Sequence, residues 1–211
     1  FINEVADLCE AVGANVQEVS KAMGVDQRIG PQFLNAGPGY GGSCFPKDIK
    51  AFTSTAKKFN INLSIINSVH QSNENRIKLI GNKIMSKIDT NSKISFLGLS
   101  FKPNTDDIRD STSIKIANYL FNKGYEINCF DPVAMQNAKK EYKKFNYFSS
   151  VNDACQNSDA IIIGTEWNEF RTINFHEISK IVNNKKIFDL RNIYNRNEIE
   201  KLGFEYYGTG K

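Results

Sequence analysis

Apolar residues recur at helical spacing through the first part of the chain and give way to short continuous runs from about Lys93. Ile2, Val5, Leu8 and Val12 share one face, and Gly13 follows them, which predicts a helix ending at that glycine. Asn15 with Glu18 three residues on reads as a capping box, and Val16, Val19 and Met23 continue the period to Gly24. Ile49, Phe52, Ala56 and Phe59 predict a third helix starting at Pro46. Ile61–Ser64 reads as a connection. Ser68 to Asp89 then reads as one long helix, with Ile77, Ile80, Ile84 and Ile88 as its stripe and Asn75, Arg76, Lys78, Asn82 and Lys83 on its polar side. A helix of roughly 20 residues spans about 30 Å, enough to bridge two domains.

Beyond it, strands are predicted at Ile94–Leu99, Glu126–Phe130, Tyr147–Phe148, Ala160–Gly164, Lys186–Leu190 and Glu205–Tyr207. Helical patterns separate them at Ser113–Lys123, Ala134–Tyr142, Asn152–Asn157 and Phe175–Val182. Such alternation implies a parallel, doubly wound sheet. The expected fold is therefore α/β, with a helical domain over 1–89 joined through its long helix to a Rossmann-like domain over 90–211. The first strand is not followed by Gly-x-Gly-x-x-Gly, and Gly98-Leu-Ser-Phe-Lys102 stands there instead. Asp131 ends the second strand, where a ribose-binding acid would stand.

The stretch richest in chemistry is Gly37-Pro-Gly-Tyr-Gly-Gly-Ser-Cys-Phe-Pro-Lys-Asp48. It sets Cys44 just before a helix start, where unpaired N–H groups and the macrodipole favour an anion, and Lys47 adds a cation. The thiolate is the nucleophilic form of cysteine, and glycines let backbone approach a ligand closely. The residues alone also fit an inert cysteine in a turn. A cysteine hydrolase is disfavoured, because neither His70 nor His176 stands in a context that suits a base. After the first strand, Phe101 beside Lys102 and Arg109 suits a base and its phosphates, and equally a polar loop capping a sheet.

Two strings decide between these readings. Gly39-Tyr-Gly-Gly-Ser-Cys-Phe-Pro-Lys-Asp48, preceded by Gly24-Val-Asp-Gln-Arg-Ile-Gly30, resembles the UDP-glucose 6-dehydrogenase family of nucleotide-sugar dehydrogenases. Leu97-Gly-Leu-Ser-Phe-Lys-Pro-Asn-Thr-Asp-Asp-Ile-Arg-Asp-Ser111 resembles the uridine-nucleotide-binding segment of the same family. The resemblance implies NAD-dependent, two-step oxidation of UDP-glucose to UDP-glucuronate. Cys44 would be the nucleophile that forms a thiohemiacetal and then a thioester, and Asp48 would position or activate the water that cleaves it. It implies further that Phe33, Leu34, Asn35, Ala36, Gly37, Tyr40 and Gly41 line the sugar and phosphate site. Phe101, Lys102 and Arg191 would meet the uridine nucleotide, and Lys47 and Arg109 the NAD. Arg28 would reach the neighbouring subunit's site in a homodimer formed through the helical domain. Trp167 is explained by packing.

The resemblance implies an NAD-binding Rossmann domain at the start of family members, and a catalytic lysine and asparagine on the same helix just upstream of the Phe1-Ile-Asn-Glu4 segment. Nothing here matches them, and the chain opens at Phe1, without methionine, inside an apparent helix. A fragment, inactive alone, is the expectation. The alternatives are a GDP-mannose 6-dehydrogenase and a non-catalytic nucleotide-sugar-binding and dimerisation module.

Composition adds only exclusions. The net charge of +4 comes from scattered basic residues, so no nucleic-acid tail is expected. No apolar run reaches membrane-spanning length. Cys9, Cys44, Cys129 and Cys155 lack metal-ligand spacing, which points to reduced thiols in a cytoplasmic protein and to no metal site.

Overall fold

The computed structural model describes residues 1–211 as a helical half leaning on a parallel sheet. Helices α1 (Ile2–Val12) and α2 (Val16–Gly24) form the first corner. Asn15 caps α2, its Oδ1 accepting from the Gln17 N–H at 2.9 Å. Ile2, Ala6, Cys9, Val16 and Leu34 close a small core there. The face of α1 is rotated from the predicted one: Ala6 and Cys9 turn inward, while Leu8 and Val12 face out. Helix α3 (Phe45–Lys58) departs in the same way, burying only Pro46 and Ala56 and leaving Phe52 and Phe59 exposed. The apolar stripes of α1 and α3 are wider than the surface the rest of the chain offers them.

Helix α4 (Ser64–Met85) begins four residues before the predicted start, since no proline or glycine interrupts the chain between Asn60 and Ile80. Ile80, Ile84 and Ile88 are buried as the stripe predicts, in a core shared with the sheet half. Arg76 is the exception to its polar side. It is only 5% exposed.

The sheet half runs β1 (Lys93–Leu97), α5 (Thr112–Phe121), β2 (Glu126–Phe130), α6 (Met135–Glu141), β3 (Asn146–Tyr147), α7 (Val151–Cys155) and β4 (Ala160–Ile163). It continues with α8 (Asn168–Arg171), α9 (Phe175–Ile181), β5 (Lys186–Asp189), α10 (Arg196–Lys201) and β6 (Glu205–Gly208). All six strands are parallel, in the order β3-β2-β1-β4-β5-β6, the doubly wound arrangement the alternation implies. Helices α8 and α10 escape prediction because each holds a single apolar residue, Phe170 or Ile199, which cannot recur at helical spacing. One face of the sheet buries Ile94, Phe96 and Phe188 against α4 and α5, and the other buries Leu97, Ile161 and Ile163 against α7, α8 and α9.

The structure gives Asp131 a different task from the ribose contact its place suggests. The residue is buried and its carboxylate is fully engaged by its own chain. Oδ2 accepts from the Leu99 N–H at 2.7 Å, the Ser100 N–H at 3.1 Å, the Ser100 hydroxyl and the Trp167 indole at 3.2 Å. Oδ1 accepts from the Val133 and Ala134 N–H groups at 3.0 and 2.8 Å. Strand pairing has ended at this point, so these donors have no ladder partners, and a carboxylate can accept from several at once. Trp167 is thereby explained by packing and by this bond.

The two halves are tied at the chain's far end. Gly210 N–H donates to Glu10 at 2.7 Å, its carbonyl accepts from the Val16 N–H at 2.8 Å, and it packs on Ala6. Lys83 of α4 pairs with the same Glu10.

Replacing Asp131 with alanine strands these donors in a buried setting and is expected to cost about 3–5 kcal/mol. Urea unfolding of the chain measures it, and a loss under about 1 kcal/mol, the size of one ordinary hydrogen bond, would contradict the role assigned to the carboxylate.

Candidate active site

Cys44 stands at the N-terminal cap of α3, with Pro46 in the first turn. The Asp48 N–H donates to the Cys44 carbonyl at 2.9 Å, the first helical bond, so Asp48 lies one turn from the sulfur. Cys44 is the exposed cysteine; Cys9, Cys129 and Cys155 are buried, and all four are free. Ser43 Oγ lies 3.8 Å from Cys44 Sγ, and Lys47 and Asp48 face each other at 3.9 Å on the exposed side of the turn.

The glycines before Cys44 serve close approach. A Cβ on Gly41 would fall 2.3 Å from the Asp110 carbonyl oxygen, and one on Gly42 would fall 2.7 Å from the Phe101 ring. Gly42 N–H also donates to the Arg109 carbonyl at 3.1 Å. The cysteine loop of the helical half is therefore laid against residues 101–110 of the sheet half with no room for side chains between them.

Residues 98–111 follow β1, at the carboxyl edge of the sheet where ligands sit in doubly wound folds. Asp131 fixes their start. Ser111 Oγ donates to the Leu99 carbonyl and Thr165 Oγ1 to the Ser100 carbonyl, both at 2.6 Å. Phe101 is half-buried, with Lys102 Nζ 5.3 Å from its ring centre. Arg109 is held by Asp107 through bonds of 2.9 and 2.7 Å. That bond holds the Asp107 carboxyl below its ordinary range and raises the Arg109 guanidinium, to which the nearby Cys44 adds a contribution of the same sign.

Arg191 enters from the loop after β5. Asp189 shapes that loop, accepting from the Arg191 and Tyr194 N–H groups, both at 3.0 Å, and from the Tyr206 hydroxyl at 2.8 Å. Arg191 Nε donates to the Gly164 carbonyl at 2.8 Å and pairs with Glu166 at 3.1 Å. Burial pulls its pKa down, and Glu166 and Asp189 oppose that. Its Nη1 lies where a Cβ on Gly37 would come within 3.7 Å. Arg191, Asn35 and Ala36 line a groove of about 340 Å³ that runs past α2.

Of the residues singled out in the sequence, Gly37, Tyr40, Gly41, Cys44, Phe101, Arg109 and Arg191 are thus brought together. Lys102 lies on the Phe101 ring, and Lys47 and Asp48 on the turn of Cys44. Leu34 turns its side chain into the helical core and gives its carbonyl to Ser20 at 2.6 Å, so only its backbone is left to line a groove. Phe33 stands free in solvent. Arg28 has its side chain 89% exposed and folded onto Asp26 at 2.6 Å.

Residues 1–75 match the central domain, and residues 95–196 the UDP binding domain, of the UDP-glucose/GDP-mannose dehydrogenase family. The chain belongs to that family. It is 46% identical over 215 residues to UDP-glucose 6-dehydrogenase of Rickettsia typhi, covering 100% of this chain and 50% of that protein. It is 44% identical over 214 residues to UDP-glucose 6-dehydrogenase of Rhizobium meliloti, covering 100% of this chain and 49% of that one. Among solved structures, a UDP-glucose dehydrogenase from the archaeon Pyrobaculum islandicum superposes with a TM-score of 0.88 at 28% identity, over 100% of this chain and 47% of that chain. The chain spans about half the length of the curated relatives it matches.

Sequence reasoning missed the side chains that hold the cysteine loop from behind. Asn73 and Arg76 precede Ile77, Ile80 and Ile84 on α4, continuing the apolar stripe with polar residues. That interruption is the signal that marks them.

Burial pushes the Cys129 thiol well up and the Cys155 thiol to about 12. Near neutral pH an aromatic disulfide reagent should therefore titrate one thiol of the folded chain quickly, Cys44, and all four only in denaturant. Mass mapping of the label checks this, and rapid labelling of any second cysteine would contradict the burial described.

Proposed function

We propose that this chain is the sugar- and uridine-nucleotide-binding part of an NAD-dependent UDP-glucose 6-dehydrogenase. In this reading residues 1–89 form the central dimerisation domain and residues 90–211 the UDP-binding domain. The observation that carries it is the seam between Gly41–Gly42 and residues 101–110, which sets an exposed cysteine and a base-stacking loop on one rim. The names of the relatives, UDP-glucose 6-dehydrogenases across the whole of this chain, support the same substrate.

The uracil ring would stack on Phe101, with Lys102 and Arg191 supplying positive charge for the diphosphate. Gly37, Tyr40 and Gly41, with the backbone of Phe33–Ala36, would border the sugar. Lys47 and Arg109 are exposed cations flanking Cys44, a donor set that fits a dinucleotide diphosphate. NAD, when bound there, supplies the acceptor for the hydrides that leave the sugar C6. The chain's own part is covalent. Cys44 Sγ adds to the C6 aldehyde carbon, forming a C–S bond and a hydroxyl, and so holds the sugar as a thiohemiacetal. After C6 reaches the acyl level, the adduct is a thioester, which water cleaves to free carboxylate and thiol. Asp48, one turn from the sulfur, is placed to orient that water and take its proton.

The exposed apolar faces of α1 and α3 (Leu8, Val12, Phe52 and Phe59) support a homodimer built through the helical half, with Arg28 reaching the partner's site. Free thiols at all four cysteines support a cytoplasmic setting. A second reading applies to these 211 residues in isolation. They carry no dinucleotide glycine fingerprint, which favours binding without turnover.

Calorimetric titration tests the assignment. UDP-glucose is expected to bind the chain in preference to GDP-mannose, and Phe101→Ala to weaken it about tenfold or more, the worth of one stacked base. Preference for GDP-mannose moves the protein to the sister activity. Binding of neither sugar nucleotide would overturn the reading for this chain.

A further inference from the structure

The cysteine loop is fixed from the helical side by three side chains, each engaging main-chain groups of Gly37 or Tyr40. Asn73 Oδ1 accepts from the Tyr40 N–H at 2.9 Å, while its Nδ2 donates to the Tyr40 carbonyl at 3.0 Å. Asn3 Oδ1 accepts from the Gly37 N–H at 2.8 Å, and Arg76 Nε donates to the Gly37 carbonyl at 2.7 Å. Arg76 is the anchor of the set. Its Nη1 meets both Asp7 carboxylate oxygens at 3.0 Å and the Asn3 carbonyl at 3.3 Å. The two ends of the Gly37–Tyr40 turn are thus bonded as strands are bonded in a sheet, but by side chains from α1 and α4.

We infer that Asn73 and Arg76, with Asn3, are positioning residues for Cys44: they hold the turn that carries the sulfur to the rim beside Phe101 and Arg109. The chemistry of each bond sets what can replace it. Tyr40 presents a donor and an acceptor, and only a primary amide answers both from one planar group. Gly37 asks only for an acceptor from residue 3 and a donor from residue 76. A general stabilising role would make no such distinction. Lys83, about two turns beyond Arg76 on α4, also joins α4 to α1 through Glu10, but it touches no part of the loop. It provides the control for loss of an interhelix bond.

This inference rests on the cysteine reading proposed above, and two measurements on the full chain separate them. The first is amide hydrogen exchange of residues 37–44. Asn73→Asp keeps the acceptor but turns an oxygen toward the Tyr40 carbonyl, and should speed exchange there about tenfold, the worth of one hydrogen bond. Asn3→Asp keeps its one acceptor and should leave the loop unchanged, as should Lys83→Met. The second measurement is iodoacetamide labelling of Cys44 with and without saturating UDP-glucose. The parent chain, Asn3→Asp and Lys83→Met should be protected by the sugar nucleotide. Asn73→Asp should lose that protection while its UDP-glucose affinity stays within about threefold, because the base and phosphate contacts lie on the sheet half.

Arg76→Lys offers a second route, since lysine can reach Asp7 or Gly37 but lacks the fork that reaches both. Unchanged loop exchange in both Asn73→Asp and Arg76→Lys overturns the inference. So does retained protection with a loosened loop, or equal losses in Lys83→Met. If the parent chain itself shows no protection, the cysteine reading fails, and the contrast in loop exchange alone decides whether the three residues hold the turn.

Discussion

A guanidinium taken out of water must find full compensation, and in this chain it finds it at one place. Arg76 is buried among Asp7, the Asn3 carbonyl and the Gly37 carbonyl. Removing one partner of such a buried pair typically costs about 3–5 kcal/mol, so the arrangement tolerates little variation in where α1, α4 and the cysteine loop sit. The helical half has only five buried apolar residues in its own core. Its geometry therefore depends on polar bonds more than on apolar packing, and its polar bonds converge on the turn before the cysteine.

The sheet half answers with two carboxylates. Asp131 follows β2 and gathers loose N–H groups beyond both β1 and β2, while Asp189 ends β5 and gathers those of the loop after it. Loops at the carboxyl edge of a parallel sheet have left the ladder, so their shape has to come from side chains. One carboxylate sets the approach to Phe101 and the other sets Arg191. The rim is thus assembled from two rigid edges, and the glycines let those edges touch.

Much of this was readable in the chain. The switch from helical spacing to short apolar runs announced the two halves, and all six strands were found within two residues of their ends. Cys44 at a helix start followed from glycine, proline and the stripe after them. What escaped has physical causes. Helices α8 and α10 each hold one apolar residue and so show no period. Asp131 stands at a ligand's place without the glycines that accompany one, and the buried backbone donors around it show its task. Arg76 falls among the polar residues of α4 by sequence, because periodicity registers charge but cannot register a partner 69 residues away. Leu8, Val12, Phe52 and Phe59 are exposed despite their spacing, because amphipathic spacing does not say whether the covering surface lies in the same chain.

The clasp between Gly210 and the first two helices bears on how the molecule is made. Val16 and Glu10 bond to a residue about 200 positions away, and Ala6 packs on the same glycine. Contacts so distant in sequence form late, after the entropy of closing the intervening chain has been met. The helical half cannot finish its seam until the sheet is complete and β6 has delivered its tail. In a ribosome-bound chain, α1 and α2 would wait with an open flank through the synthesis of everything that follows them. The flank of α1 and α2 is thus closed by residues made after every strand of the sheet.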